Sequence, residues 1–256
     1  MRVIALLPND SFLALRRALP PKDTLVRATD VAALWSGSDA DRADAIVLDP
    51  AALGAAGWSA ALQWFATPGA PLLLYTRLTT DSITRIVAAS AAGVHEVLFR
   101  GVEDDAPTIR RCLQTLRRPA APAQLLSKLA PHIMRLPPGL QGATVPLFCA
   151  GPVPRWGNEL ACVAQMPRRT VDRCLARADL EGAATVLDVA RLARVWTPLV
   201  VEREPATSVA VHYGYRRLRN LAMHTRRVVG VLPSRLPTIG SEREFVARLA
   251  RFVSRD

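Results

Sequence analysis

Lysine is nearly missing from this sequence: Lys22 and Lys128 stand against 31 arginines in 256 residues. Arginine usage follows genome composition as well as function, so the bias alone marks no binding surface. Cysteine is sparse, and Cys112, Cys149, Cys162 and Cys174 show no C-x-x-C spacing. That argues against both a structural zinc site and a disulfide framework. No stretch reaches the roughly 18 uninterrupted apolar residues of a membrane helix. The apolar run from Val3, closed by Pro8, is too short for a secretory leader. A soluble, cytoplasmic protein is expected. His95, His132, His212 and His224 fall at no ligand spacing, which makes them packing or surface histidines. No Ser/His/Asp, metal or phosphate-loop constellation is present, so neither an enzyme nor a bound cofactor or metal is expected.

What is present is apolar residue in quantity. Half the chain is hydrophobic, too much for disorder and enough for a substantial core. The length allows one large or two ordinary domains. Charge is unevenly placed. Residues 1–118 hold 13 basic and 12 acidic residues, net +1, whereas residues 119–256 hold 20 and 10, net +10. A neutral half joined to a basic half suggests an input domain and a polyanion-binding module. The competing reading is an arginine-rich solvated surface.

In the first half, short apolar runs alternate with helical patterns. Val3–Leu7, Thr24–Ala28, Ala45–Leu48, Pro71–Tyr75 and Glu96–Phe99 read as buried parallel strands. Helices are expected after each strand, the first capped by Ser11 and the others around Val31–Trp35, Trp58–Phe65, Asp81–Ala92 and Pro107–Leu116. Five strands alternating with five helices imply a doubly wound, flavodoxin-like five-stranded parallel sheet with right-handed crossovers. The pattern resembles the receiver domain of bacterial response regulators. By that resemblance, Asp49 stands at the phosphoacceptor position, Thr76 at the Ser/Thr position and Arg100 where the family has Lys. Leu7 and Pro8 occupy the positions of the magnesium-holding acidic pair, and Asp10 is displaced further along. Phosphoryl transfer needs a divalent cation held by clustered carboxylates. A pseudo-receiver that is not phosphorylated is therefore expected. The alternative role for Asp49 is a strand-end carboxylate paired with Arg100.

Residues 119–154 read as a linker with Pro119 and Pro122, then a connecting helix over Leu125–Met134 that Pro137-Pro138-Gly139 ends. From 155 to 238 the pattern is all-helical. Leu160, Ala161 and Ala164 form a short apolar helix, and Gln165-Met166-Pro167 interrupts it. A second helix then turns Val171, Cys174, Leu175 and Ala178 inward and Arg169, Asp172, Arg173 and Ala176 outward. A second unit repeats the plan. Ser208–His212 is a helix and Tyr213-Gly214 a turn. The next helix has Leu218, Leu221, Thr225 and Val228 inward and Arg216, Arg219, Asn220, Met223 and Arg227 outward. Arg168 and Arg216 open the two longer helices. Val186–Trp196 links the units and Pro198 ends the link. Each unit is a helix-turn-helix with an arginine-bearing front.

These residues resemble the DNA-binding domain of AraC-type transcription regulators. The match runs through Leu160-Ala161, Met166-Pro167-Arg168-Arg169-Thr170-Val171-Asp172-Arg173, Ala190-Arg191-Leu192-Ala193-Arg194, Gly214-Tyr215 and Arg226-Arg227-Val228-Val229-Gly230-Val231-Leu232-Pro233. Gln165 stands where the first unit often has Gly, and Thr225 where an aromatic is usual. The resemblance implies recognition helices in successive major-groove segments. Arg pairs bidentately with guanine and Asn with adenine. Arg169, Arg173, Arg216 and Asn220 are thus the expected base readers. Arg168, Arg177, Arg219 and Arg227 are expected at phosphates. Asp172 and Arg217 complete the candidate interface. The expected partners are double-stranded DNA and a second copy, joined through the receiver-like half. A rival reading is a protein-interaction adaptor whose second half no longer reads DNA.

Trp58, Trp64, Trp156 and Trp196 are expected to pack. An Asp188–Arg191 pair one turn apart contributes little if exposed. Residues 239–256 carry an amphipathic helix over Glu242–Val253, suited to docking on the body or on a partner.

Overall fold

The computed structural model describes residues 1–35, 43–65, 70–102, 105–116, 120–149 and 153–255. The expected boundary at 118, with Pro119, lies outside them. The chain divides into two compact units, one of Met1–Ala123 with Cys149–Gly151, the other of Gln124–Phe148 with Pro152–Asp256.

The first unit alternates strictly. Its elements are β1 (Arg2–Leu6), α1 (Asn9–Ala18), β2 (Thr24–Arg27), α2 (Val31–Trp35), β3 (Ala45–Leu48), α3 (Ala55–Phe65), β4 (Leu72–Thr76), α4 (Thr80–Ala91), β5 (Glu96–Phe99) and α5 (Ala106–Thr115). The strands form one all-parallel sheet in the order β2-β1-β3-β4-β5, compatible with a flavodoxin-like arrangement. Ile4 pairs with both Val26 and Ile46, and Val47 pairs with Leu73. The three inner strands are buried almost throughout, because helices cover both sheet faces. On one face Val3, Ala5, Val47, Leu73, Tyr75 and Leu98 pack with Leu15 of α1 and Ile109 and Leu113 of α5.

Ser11 does not cap α1. The helix starts at Asn9 with Pro8 as the preceding residue, and Ser11 lies buried inside the first turn. Proline takes the role because its fixed φ already suits a helix entry. True caps occur at Thr79, in a reciprocal capping box with Ser82, and at Asp105, whose carboxylate accepts from the Thr108 N–H.

The second unit is helical. It begins within α6 (Ala121–Ile133) and continues through α7 (Pro138–Thr144), α8 (Gly157–Val163), α9 (Arg168–Arg177), α10 (Ala183–Arg194), α11 (Ala206–His212), α12 (Leu218–Val229) and α13 (Glu242–Val253). From Gln124 to Phe148, the segment read as linker and connecting helix is part of this body. Leu125, Leu126, Leu129 and Ile133 are buried, and Arg194 of α10 donates to the Leu147 carbonyl at 3.0 Å. Pro198 does not end the linking helix region, which continues through a π-type turn over Thr197–Val201. Proline in the first turn of that segment has no N–H to lose. The terminal helix α13 docks on its own unit. It buries Phe245, Val246, Leu249 and Val253, and the Phe245 ring lies 4.9 Å from that of Trp196. Trp156, by contrast, is 60% exposed and packs little. Among the described residues no helix is long and apolar enough to cross a membrane.

Candidate functional site

In the first unit, the C-terminal ends of β3, β4 and β5 carry Asp49, Thr76 and Arg100. Asp49 is 2% exposed. Its carboxylate accepts from the Thr76 hydroxyl at 2.7 Å and from the Ala51 N–H at 3.0 Å, capping the short turn Pro50–Ala52. The expected Asp49–Arg100 pair is not formed. The Arg100 guanidinium donates instead to Asp10, and Arg77 approaches the same carboxylate at 3.9 Å. The Ser11 N–H and these guanidinium groups hold the Asp10 carboxyl below the usual carboxylate range. Asp10 can take this place because it sits in the first turn of α1. Sequence spacing could not show that, since 90 residues separate it from Arg100.

In the second unit, two helix pairs repeat one geometry. Between α8 and α9, Gln165 takes φ +54°. The N–H groups of Gln165 and Met166 donate to the carbonyls of Cys162 and Ala161, both at 3.0 Å. Between α11 and α12, Gly214 takes φ +79°, and the N–H groups of Gly214 and Tyr215 donate to Val211 and Ala210 at 3.1 and 2.8 Å. Both turns are Schellman closures. Val171 and Leu175 of α9, and Leu221 and Thr225 of α12, are the corresponding buried positions. Thr225 survives full burial because its hydroxyl donates to the Leu221 carbonyl at 2.7 Å.

The helix openings differ from expectation. α12 starts at Leu218, so Arg216 lies in the preceding turn and Arg217 precedes the first helical residue. Leu218 faces outward, 39% exposed. Arg169, Arg173 and Arg177 on α9, and Arg216, Arg217, Arg219 and Arg226 at α12, are exposed. Their guanidinium groups make no hydrogen bond or ion pair among the described residues. Asn220 is half-buried. Arg227 stacks on the Phe252 ring at 5.3 Å. Arg226 was not among the expected readers, although its place one turn after Met223 on an outward face was open to inspection.

Arg168 and Asp172 are occupied within the fold. They pair at 3.2 Å one turn apart. The Asp172 carboxylate also accepts from the Ala183 N–H at 2.9 Å, supplying the N-terminal cap of α10 that Gly182 lacks. Arg168 rests on Gly157, where an added Cβ would stand 1.7 Å from its Nη1. These two residues join α8, α9 and α10.

A polar cluster joins the second pair to the same linking helix. Arg191 is 8% exposed, pairs with Asp188 at 3.0 Å, and donates to the carbonyls of Pro154 and Arg155. The Asp188–Arg191 pair is formed, and it is an interior fastener rather than an exposed pair. The Asp188 carboxylate also lies 3.6 Å from His224 Nδ1 of α12. The Tyr215 ring meets His224 edge-on at 5.5 Å. Burial, reinforced by Asp188, pushes the Tyr215 phenol far above its ordinary value, and its hydroxyl has no hydrogen-bond partner among the described residues.

Comparison with protein-family models, curated proteins and solved structures yields no match.

Proposed function

We propose that the helical unit binds double-stranded DNA in the manner of AraC-type regulators, and that the protein is a sequence-specific transcription regulator. The carrying observation is the set of seven exposed, internally unpartnered arginines on α9 and at α12, each set backed by a buried apolar face. An arginine without an internal acid is a ready donor to phosphate or guanine. In this reading each helix pair is a helix-turn-helix, α9 and α12 are the recognition helices, and Arg168 and Asp172 set the geometry rather than touch DNA.

The sheet unit acts as an input or dimerisation domain without phosphorylation. Arg100 is committed to Asp10, and Leu7 and Pro8 leave no acidic pair beside Asp49 to hold magnesium.

Selection of bound duplexes from a random pool by the full chain tests the reading. An enriched sequence is expected, with affinity falling steeply as salt rises because counterions are released. Arg173→Ala and Arg219→Ala should each weaken binding, and a base-reading arginine should cost about 1–3 kcal/mol at one position. Absence of any enriched sequence would sink the reading and favour an adaptor.

A further inference from the structure

Two clefts on the helical unit share one arginine. The first, about 290 Å³, lies between α6 and α13, with Lys128, His132, Arg251 and Ser254 around a floor of Leu129, Ala247 and Ala250. The second, about 230 Å³, is lined by Val228, Arg248, Arg251 and Phe252. Arg227 of α12 stacks on that same Phe252. Lys128, Arg251 and Arg227 thus form a cationic track across three helices, leading away from the outward face of α12.

Among the described residues, no carboxylate lines either cleft. Three acids of the neighbouring segments are already engaged: Glu244 by Arg248 at 2.6 Å, Glu181 by Arg255 at 3.1 Å and Asp179 by Arg135 at 2.6 Å. Arg248 is spent on Glu244 and on the Val229 carbonyl that ends α12, so it is not part of the track. Lys128 and Arg251 are exposed, and among the described residues the side-chain hydrogen bond of Arg251, from Nε to the Ala247 carbonyl at 3.4 Å, leaves both terminal nitrogens for a ligand.

We propose that this track binds the phosphodiester backbone of duplex DNA beyond the segment faced by α9 and α12. An open set of cations spread over three helices suits a polyanion with repeated charge better than a single small anion. The row reads no bases, since an ammonium and splayed guanidinium groups in shallow clefts meet phosphates rather than base edges. The inference rests on the proposed DNA binding of the same unit.

The test uses the full chain, one selected duplex and one unrelated duplex. The variant is Lys128→Gln combined with Arg251→Gln, and its thermal melt is compared with that of the parent protein. The slope of log affinity against log salt should become shallower by about 2, near 0.9 for each phosphate no longer neutralised. Affinity should fall by the same factor on both duplexes, leaving selectivity unchanged. Lys128→Arg should bind as the parent does. If the parent binds DNA and the double variant keeps its slope, the track is wrong while the recognition helices stand. A loss confined to the selected duplex also overturns the backbone assignment. If the parent binds neither duplex, both readings fall together.

Discussion

The two helix pairs of the second unit solve the same bends with different residues. The second pair places Gly214 and Gly230 at its two left-handed positions, φ +79° and +87°. The first pair places Gln165 and Asp179 at the corresponding points, φ +54° and +57°. The first bend shares its closure, Met166 N–H on Ala161 matching Tyr215 N–H on Ala210, whereas at the second bend Leu180 N–H closes on the Leu175 carbonyl at 2.9 Å and Gly230 N–H on the Arg226 carbonyl at 3.0 Å. A left-handed bend therefore needs its backbone closures more than it needs glycine. A side chain there costs roughly 1–2 kcal/mol. The first pair offsets that cost with fasteners of its own. Arg135 clamps the Asp179 carboxylate and the Arg177 carbonyl, and Arg168–Asp172 ties α9 to α8 and α10.

The largest test of this contrast is in the two cores. Leu175→Ala should lower unfolding stability by about 3 kcal/mol in a urea titration, as deletion of fully buried leucines does. The matching Thr225→Val should change it by less than about 1 kcal/mol, because the lost hydroxyl served only its own helix. A large loss at Thr225 would show that its hydroxyl holds the second pair together. Next, Arg191→Ala should cost about 2–3 kcal/mol, because it leaves Asp188 half-buried and two carbonyls without their donor. An unchanged denaturation midpoint would return that pair to the exposed class.

Mirror-image substitutions sharpen the comparison further. Gln165→Gly should raise stability, and Gly214→Ala should lower it, each by about 1 kcal/mol. Equal signs would mean the two turns are not equivalent. The smallest effect concerns acid. The depressed Asp179 carboxyl contributes stability that is present above the ordinary carboxylate value near 3.8 and is lost as pH falls through its lower folded-state value. Asp179→Gly should therefore gain on the parent protein as pH is lowered from 5 toward 2, read from paired thermal melts. A constant gap across that range would remove Arg135 from the account.

The alternation of the first unit was legible because a parallel strand buried on both faces is an unbroken apolar run, as in Ala45–Leu48 or Leu72–Tyr75. The buried faces of α9 and α12 were legible from their 3.6-residue period. Ser11 misled because a serine before an apolar stretch looks like a cap, while Pro8 provides the entry without a side-chain hydrogen bond. The start of α12 was placed at Arg216, two residues before Leu218; the second turn is one residue longer than the first, and charge pattern carries no mark of that.

Amino-acid order alone settled the strands and helices of the first unit, where the positive charge accumulates, and the apolar faces of α9 and α13. Those properties are local: they follow from backbone sterics and from side-chain period within a few residues. Only the folded chain decided that Arg100 answers to Asp10, that Arg168 and Asp172 are internal fasteners, and that Lys128 lines a cleft with Arg251. Such contacts bring separate elements together, and their energy depends on distance and burial that no spacing along the chain encodes.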